Sequence, residues 1–307
     1  MSVIGIDTSN YTTSIAYLDG ICGENCSRLL PVKQGELGLR QSDAVFAHIK
    51  SLPELSGRLF SHVPKDIPIT AVGVSTRPRA IEGSYMPCFM VGYSHAKMLS
   101  DTLDVPLVEV SHQQGHVAAS LWSAGHLELM DEPHLAWHLS GGTTELLLVE
   151  PEGKNVKCTK IGGTTDISAG QLIDRTGQLL ELPFPSGKYL DTVSREAVKT
   201  EVFKVKCANM EFSLSGVQNK VQQFHSIHNV PAETAAYALR CVVKAVYLAT
   251  EQALKAYPDL RVVFSGGVAS NSMLRQAMAP LNPVFSQPQF STDNAMGVAV
   301  LAKRLTE

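Results

Sequence analysis

Apolar residues gather in short runs near the start of the chain and at helical spacing further on. Val3–Ile6 is an apolar run, the polar stretch "DTSNYT" (7–12) reads as a loop, and Ser14–Leu18 is a second run ending at the turn Asp19-Gly20. Together they predict a β-hairpin opening a sheet. Val45, Ile49, Leu52, Leu55 and Leu59 predict a helix over 42–61, with Pro53 implying a break or kink. The pattern predicts a buried strand at 69–75, a helix over 89–103, a strand at 106–110 and a helix beginning in "SHQQGHVAAS" at Ser111. From His134 the opening plan recurs: "HLAWHLSGGTTELLLVEPEG" repeats strand, small-polar loop, strand and turn roughly 130 residues after the first copy. Further helices are predicted near 168–181, over 232–256, from 271 onward and over 294–305, with a strand at 261–264. The stretch 183–230 fits neither period, and Pro183, Pro185 and Gly187 mark it as an elaborated loop.

A duplicated strand–loop–strand unit, each copy followed by mixed helices and strands, predicts an α/β protein of two similar lobes. The first lobe is expected at 1–110, with the C-terminal helix 293–307 packing back on it, and the second at 111–292. Two such lobes would face each other across a cleft, where ligands usually bind.

Composition narrows the picture. With 307 residues, 44% apolar and 18% charged, the chain reads as a globular protein with a sizeable core. A formal charge of −3 excludes a global basic field, so any nucleic acid must be drawn by a local patch or a partner. The chain opens directly on Val-Ile-Gly-Ile, without a basic leader segment. Its most apolar helical stretch, "AAYALRCVVKAVYLA", carries Arg240 and Lys244, which makes it a buried helix and not a membrane span. Six scattered cysteines without a C-x-x-C pair predict reduced thiols in a cytoplasmic protein.

Three stretches have phosphate-holding chemistry. In "LSGGTTEL", Ser140, Gly141 and Gly142 lie between two strands, where missing side chains expose backbone N–H groups to an anion. "DTSNYTTS" offers hydroxyls and amides from the other lobe. "VVFSGGVASNSMLR" runs from strand through Gly266-Gly267 into a helix with Asn271 near its first turn, which suits a nucleoside or phosphate. Each alone also reads as a structural turn, and none is a Walker A loop or a dinucleotide fingerprint. The combination favours a nucleotide cleft.

His112 and His116 share a helical face and can both reach one metal ion. A zincin would need glutamate at 113, but Gln113 is an amide that cannot take a proton. The pair therefore needs a third ligand from elsewhere, and Asp293 in "FSTDNAMG" is the candidate. Two histidines and a carboxylate suit iron(II), with zinc the other option. The residues alone leave a second reading open, in which the pair are partly buried polar histidines or helix-cap partners.

In order and at roughly the same spacing, "VIGIDTS", "HQQGH", "LSGGTTEL", "DISAGQLIDRTGQLLELPFPSG", "FSLSGV", "VVFSGGVASNSMLR" and "STDNA" are similar to the motifs of the TsaD/Gcp family. These are the threonylcarbamoyl transferases of tRNA modification, once described as O-sialoglycoprotein endopeptidases, and the resemblance covers nearly the whole chain. It implies the duplicated actin/Hsp70/sugar-kinase (ASKHA) fold, with an ATP- or AMP-type nucleotide or threonylcarbamoyl-adenylate bound beside an iron or zinc ion. By matching motif positions, His112, His116 and Asp293 would be the metal ligands. His138, Leu139, Ser140, Gly141 and Gly142 would meet the adenylate and its phosphates, while Asp174, Gly187, Asp191 and Asn271 would grip the ribose or base. In the family the metal holds the threonylcarbamoyl group, the amine of an adenosine beside the anticodon attacks the carbonyl, and AMP leaves. The implied partners are tRNA, a homologous non-catalytic TsaB-like subunit and a TsaE-like ATPase, with no membrane.

The chain also departs from the family pattern. Tyr11 and Thr12 replace an Asp and a Glu, Thr143 replaces the His after Ser-Gly-Gly, and Ile167 and Gln171 replace carboxyl residues. Arg77-Pro78-Arg79 stands for the usual Gly-Pro-Gly, and the family's C-terminal tail is missing. Losing carboxylates near a phosphate-and-metal site removes groups that could bind a second cation or move protons, which marks a divergent paralogue. The main reading is a transferase acting on tRNA. Alternatives are a non-catalytic or regulatory nucleotide- and metal-binding protein, and a metallopeptidase, against which Gln113 argues because no adjacent base would activate a metal-bound water.

Overall fold

A computed structural model describes residues 1–31, 39–64, 66–198 and 204–307. In chain order its strands are β1 (Ser2–Ser9), β2 (Thr12–Asp19), β3 (Cys22–Leu29), β4 (Ile69–Arg77), β5 (Leu107–Ser111), β6 (His134–Leu139), β7 (Thr144–Glu152), β8 (Asn155–Thr164), β9 (Cys207–Ala208), β10 (Glu211–Phe212), β11 (Val262–Ser265) and β12 (Val284–Phe285). Its helices are α1 (Gln41–His62), α2 (Phe89–Leu103), α3 (His112–Ala124), α4 (Ala169–Leu179), α5 (Gly187–Ser194), α6 (Ser215–His228), α7 (Pro231–Ala256), α8 (Ser272–Met278) and α9 (Met296–Thr306). They form two compact units. Unit 1 is Met1–Glu132, Glu150–Cys158 and Asp293–Glu307; unit 2 is Pro133–Val149 and Thr159–Thr292.

The duplication read from the sequence stands out in the strand order. One sheet runs β3-β2-β1-β4-β5 and the other β12-β11-β6-β7-β8-β10-β9, so β6, β7, β8, β11 and β12 take the places of β1, β2, β3, β4 and β5. The pairing senses match as well. β2 is antiparallel to β1 as β7 is to β6, while β4 runs parallel to β1 as β11 does to β6. This is a duplicated α/β fold.

The first hairpin differs from the expected one. Its strands extend to Ser9 and resume at Thr12, leaving a turn of only Asn10 and Tyr11. The polar residues looked like a loop, yet Asp7, Thr8, Thr13 and Ser14 are buried strand residues whose polar groups find partners. Thr8 Oγ1 donates to the Cys88 carbonyl and accepts from Gly92 N–H, while Thr13 Oγ1 meets His48 Nδ1 at 2.8 Å. Buried polar groups persist where each is hydrogen-bonded. α1 likewise runs unbroken through Pro53. Proline removes one helical hydrogen bond, but Leu52, Leu55 and Leu59 pack into a core with Ile4, Ile6, Ile15, Val72 and Val74, which holds the helix together.

The sequence boundary at 110–111 lies ahead of α3, whereas α3 groups with unit 1. Its backbone touches that of α9. A Cβ built on Gly297 would lie 1.8 Å from the Gly115 carbonyl oxygen and 2.6 Å from the Ala119 nitrogen. Such an approach is open only to glycine, and it binds the C-terminal helix to the helix that bears the two histidines.

In unit 2 the stretch expected as an elaborated loop over 183–230 holds α5, the short strands β9 and β10, and α6; positions 199–203 lie outside the described residues. Leu190 on α5 and Val217, Val221 and Phe224 on α6 join the same core as Trp137, Phe264 and the inner face of α7. No helix among the described residues is long and apolar enough to cross a membrane.

Candidate metal centre and phosphate loops

The metal-ligand geometry begins with a helix cap. Ser111 ends β5, and its hydroxyl accepts the Gln114 N–H at 3.2 Å while Gln114 Oε1 accepts the Ser111 N–H at 2.9 Å. This reciprocal cap fixes where α3 starts and puts His112 in its first turn, with His116 one turn on along the same face. The two Nε2 atoms lie 2.9 Å apart. Asp293 Oδ1 lies 3.1 Å from His116 Nε2 and 3.6 Å from His112 Nε2. Ligand atoms bonded to one ion at about 2.0–2.2 Å stand about 3–3.5 Å from each other, so the trio fits a single ion. The chemistry fits too: two imidazole nitrogens facing each other can share only one proton, whereas both can donate lone pairs to a cation. His116 is buried, and His112 and Asp293 are partly so.

Sequence reasoning missed a fourth residue. Asp7 is 1% exposed in the middle of the central strand β1. Its Oδ2 accepts from His112 Nδ1–H at 2.7 Å, and its Oδ1 accepts the Ser9 N–H at 2.8 Å. The sequence carried no clear signal for it, because Asp7 follows the apolar run Val3–Ile6 as the first residue of a polar stretch that reads as a loop. Burial alone lowers the basicity of the His112 ring, but the Asp7 and Asp293 carboxylates overcome it and raise the pKa to about 10. Burial would raise the Asp293 carboxyl in turn, yet hydrogen bonds from His112 and His116 hold it well below the usual carboxylate range.

Of the three phosphate-holding candidates, "DTSNYTTS" lies in unit 1, where it forms the β1–β2 hairpin, and the other two lie in unit 2. His138 and Leu139 end β6, and the loop that follows is closed on itself. Ser140 N–H donates to the Thr143 carbonyl at 2.8 Å, and Thr143 N–H donates to Ser140 Oγ at 3.0 Å. Gly141 and Gly142 are exposed, and a Cβ on either would meet nothing within 4 Å. The Gly141 carbonyl accepts from Ser168 Oγ at 2.6 Å, which ties the loop to the start of α4. Gly266 has φ +90, and a Cβ there would lie 2.2 Å from the Leu139 carbonyl oxygen, so the Gly266-Gly267 turn adjoins the end of β6.

The remaining candidates form two local groups. Asp191 Oδ1 accepts from Asn271 Nδ2 at 2.8 Å and from Ser272 N–H at 3.1 Å, while Asn271 Oδ1 caps α8 by accepting the Leu274 N–H at 3.0 Å. Asp191 and Asn271 thus meet, tying α5 to the start of α8. Asp174 Oδ1 accepts the Ser186 N–H at 2.8 Å, immediately before Gly187 begins α5. Burial raises the Asp174 carboxyl against the opposing pull of that N–H.

Two departures from the family pattern have structural accounts. Gln171 caps α4, accepting the Ser168 N–H at 3.1 Å, a task its amide performs as a carboxylate would. Tyr11 sits half-exposed in the turn, and Thr12 starts the buried strand β2. A further carboxylate, Asp166, organises the "FSLSG" stretch by accepting from Ser213 Oγ, Ser215 Oγ and Leu214 N–H. Burial pushes Asp166 up, but these donors outweigh it and hold it far below the usual range.

The sequence model of TsaD, described as tRNA N6-adenosine threonylcarbamoyltransferase, matches residues 37–300, more than half of the chain. A tRNA N6-adenosine threonylcarbamoyltransferase of Carboxydothermus hydrogenoformans is 30% identical over 314 residues, covering 97% of this chain and 90% of that relative. Among solved structures, full-length HypF in its phosphate- and nucleotide-bound form aligns with a TM-score of 0.61 at 15% identity, over 100% of this chain and 56% of that one. The ROK hexokinase of Thermus thermophilus aligns with a TM-score of 0.57 at 14% identity, over 100% of this chain and 99% of that one. At such identities the two structures speak for the fold, which is the duplicated actin/Hsp70/sugar-kinase type.

Proposed function

Because the chain belongs to the TsaD family, we propose that it transfers a threonylcarbamoyl group from its adenylate to an adenosine beside the anticodon of tRNA. The observation that carries this reading is the convergence of His112, His116 and Asp293, each in its family motif, within 4.8 Å of one another. These three would hold one ion, iron(II) or zinc. When bound, that ion supplies a Lewis acid for the carbonyl under attack.

The chain's own groups serve binding and orientation. In the transfer, the adenosine amine forms a bond to the carbamoyl carbon, the bond from that carbon to the phosphate oxygen breaks, AMP departs and the amine releases a proton. Backbone N–H groups of the Ser140–Gly142 loop and the Gly266-Gly267 turn would meet the phosphate. His138 and Leu139 position that loop, and Asp174, Gly187, Asp191 and Asn271 would face the nucleoside. With Tyr11 and Thr12 in place of carboxyl residues, the first hairpin turn offers no base. The protein would work in the cytoplasm with a TsaB-like subunit and a TsaE-like ATPase as partners.

The test is incubation with threonylcarbamoyl-adenylate and unmodified tRNA, followed by mass spectrometry of the digested nucleosides. A threonylcarbamoyl mark on adenosine that disappears in His116→Ala supports the reading. Adenylate binding without any mark, even with both partner proteins added, contradicts it.

A further inference from the structure

We infer that Asp7 is the positioning residue of the metal centre, the carboxylate that holds His112 by its Nδ1–H so that Nε2 is presented to the ion. The inference rests on the reading of His112, His116 and Asp293 as metal ligands. It stands on three features of Asp7. First, its backbone is fixed: β1 is paired on both sides, by β2 and β4, and Asp7 sits opposite Ser14, whose hydroxyl donates to the Asp7 carbonyl at 3.3 Å. Second, its carboxylate is shielded from water and shared between two donors, Ser9 N–H at 2.8 Å and His112 Nδ1–H at 2.7 Å. Third, the proton on Nδ1 determines the rest of the ring: a neutral imidazole that donates there keeps its lone pair on Nε2, the atom 2.9 Å from His116 Nε2 and 3.6 Å from Asp293 Oδ1.

A buried carboxylate behind a ligating histidine fixes the ring's orientation and makes it a better donor, and losing such a partner weakens metal binding by about 10–100-fold. A purely structural Asp7 would instead matter only for folding. Asp7→Asn separates the two roles, because the amide can still accept one hydrogen bond but lacks the charge.

The experiment is competition for Zn(II) and Co(II) between a chromogenic chelator and the full chain, wild type or Asp7→Asn, with the folded state of each confirmed by circular dichroism. We expect Asp7→Asn to bind Zn(II) about 10–100-fold more weakly while remaining folded, with a shifted visible spectrum of the bound Co(II). Equal affinity and an unchanged Co(II) spectrum would overturn the inference. A second measurement stands even if the variant does not fold: nitrogen NMR of the Zn(II)-loaded wild type should show His112 metal-bound at Nε2 and protonated at Nδ1, and binding through Nδ1 would refute it. A wild type that takes up neither ion overturns the ligand reading and this inference together, whereas normal uptake by both proteins overturns this inference alone.

Discussion

The hairpins β1–β2 and β6–β7 occupy the same place in their sheets and spend their polar residues in different ways. In the first, Asp7, Thr8, Thr13 and Ser14 turn inward from the strands, and the chain reverses through Asn10 and Tyr11 alone. In the second, Leu139 and Thr144 are the last paired residues, so four residues, Ser140 to Thr143, make a longer loop with two exposed glycines. One hairpin thus acts through a side chain, the carboxylate that meets His112. The other leaves backbone facing solvent, where an anion could reach it. Duplication supplied one scaffold, and the length of the turn decided whether its small polar residues became wiring or a receptor.

The contrast between a tightly joined unit 1 and a longer loop in unit 2 can be broken most forcefully at Gly297. Gly297→Ala drives a Cβ into the Gly115 carbonyl, and a loss of about 3 kcal/mol or more is expected in denaturant unfolding. Next comes His116→Ala, which removes one of the three proposed ligands and should weaken Zn(II) uptake beyond the about 100-fold upper range for outer partners, as read by chelator competition. In unit 2, Asp166→Ala removes the acceptor shared by Ser213, Ser215 and Leu214; because Asp166 and both serines are exposed and water can take its place, the cost should be about 1 kcal/mol, measured in the same unfolding assay.

A milder probe is pH in the metal-free chain. His112 has a raised folded pKa of about 10, so its contribution to stability is complete below the unfolded value of about 6.5 and is lost as pH climbs toward 10. Asp293 is lowered, so its share is present above about 3.9 and fades in acid. Unfolding measurements should therefore show stability declining above about pH 6.5, by at most about 1.4 kcal/mol per pH unit from His112, and Zn(II) should flatten that decline. The smallest effect is expected at Gly141→Ala or Gly142→Ala. With open space around each Cβ, stability should stay within about 0.5 kcal/mol of wild type, while adenylate affinity, read by calorimetry, should fall.

Much of this was legible in the chain. The helix over 89–103 matches α2, and α7 begins one residue before its expected start, because strong apolar periodicity and clear ends leave little room for choice. The repeat was visible in two hairpins of like plan and the histidine pair in its i, i+4 spacing, while Asp293 came in as a candidate carboxylate and through the family motif. Other features were hidden for physical reasons. β3, "CGENCSRL", has neither alternation nor β-branched residues, and it is held by register with β2 rather than by propensity. α6 lies in a stretch punctuated by proline and glycine, although Val217, Val221 and Phe224 carried its spacing. Asp7 stayed hidden because nothing in the sequence separates a buried, paired carboxylate from one in a loop. Its partner lies 105 positions away.

His116 and Asp293 stand 177 positions apart. A chain emerging from the ribosome presents its two imidazoles long before the third donor has been made, and that donor is followed at once by the helix that seats against Gly115. An ion caught early would be held by two ligands only and would exchange readily. If the trio holds an ion as proposed, firm capture would wait until α9 is synthesised and docked, and a tightly retained ion would certify that this half of the molecule has finished folding.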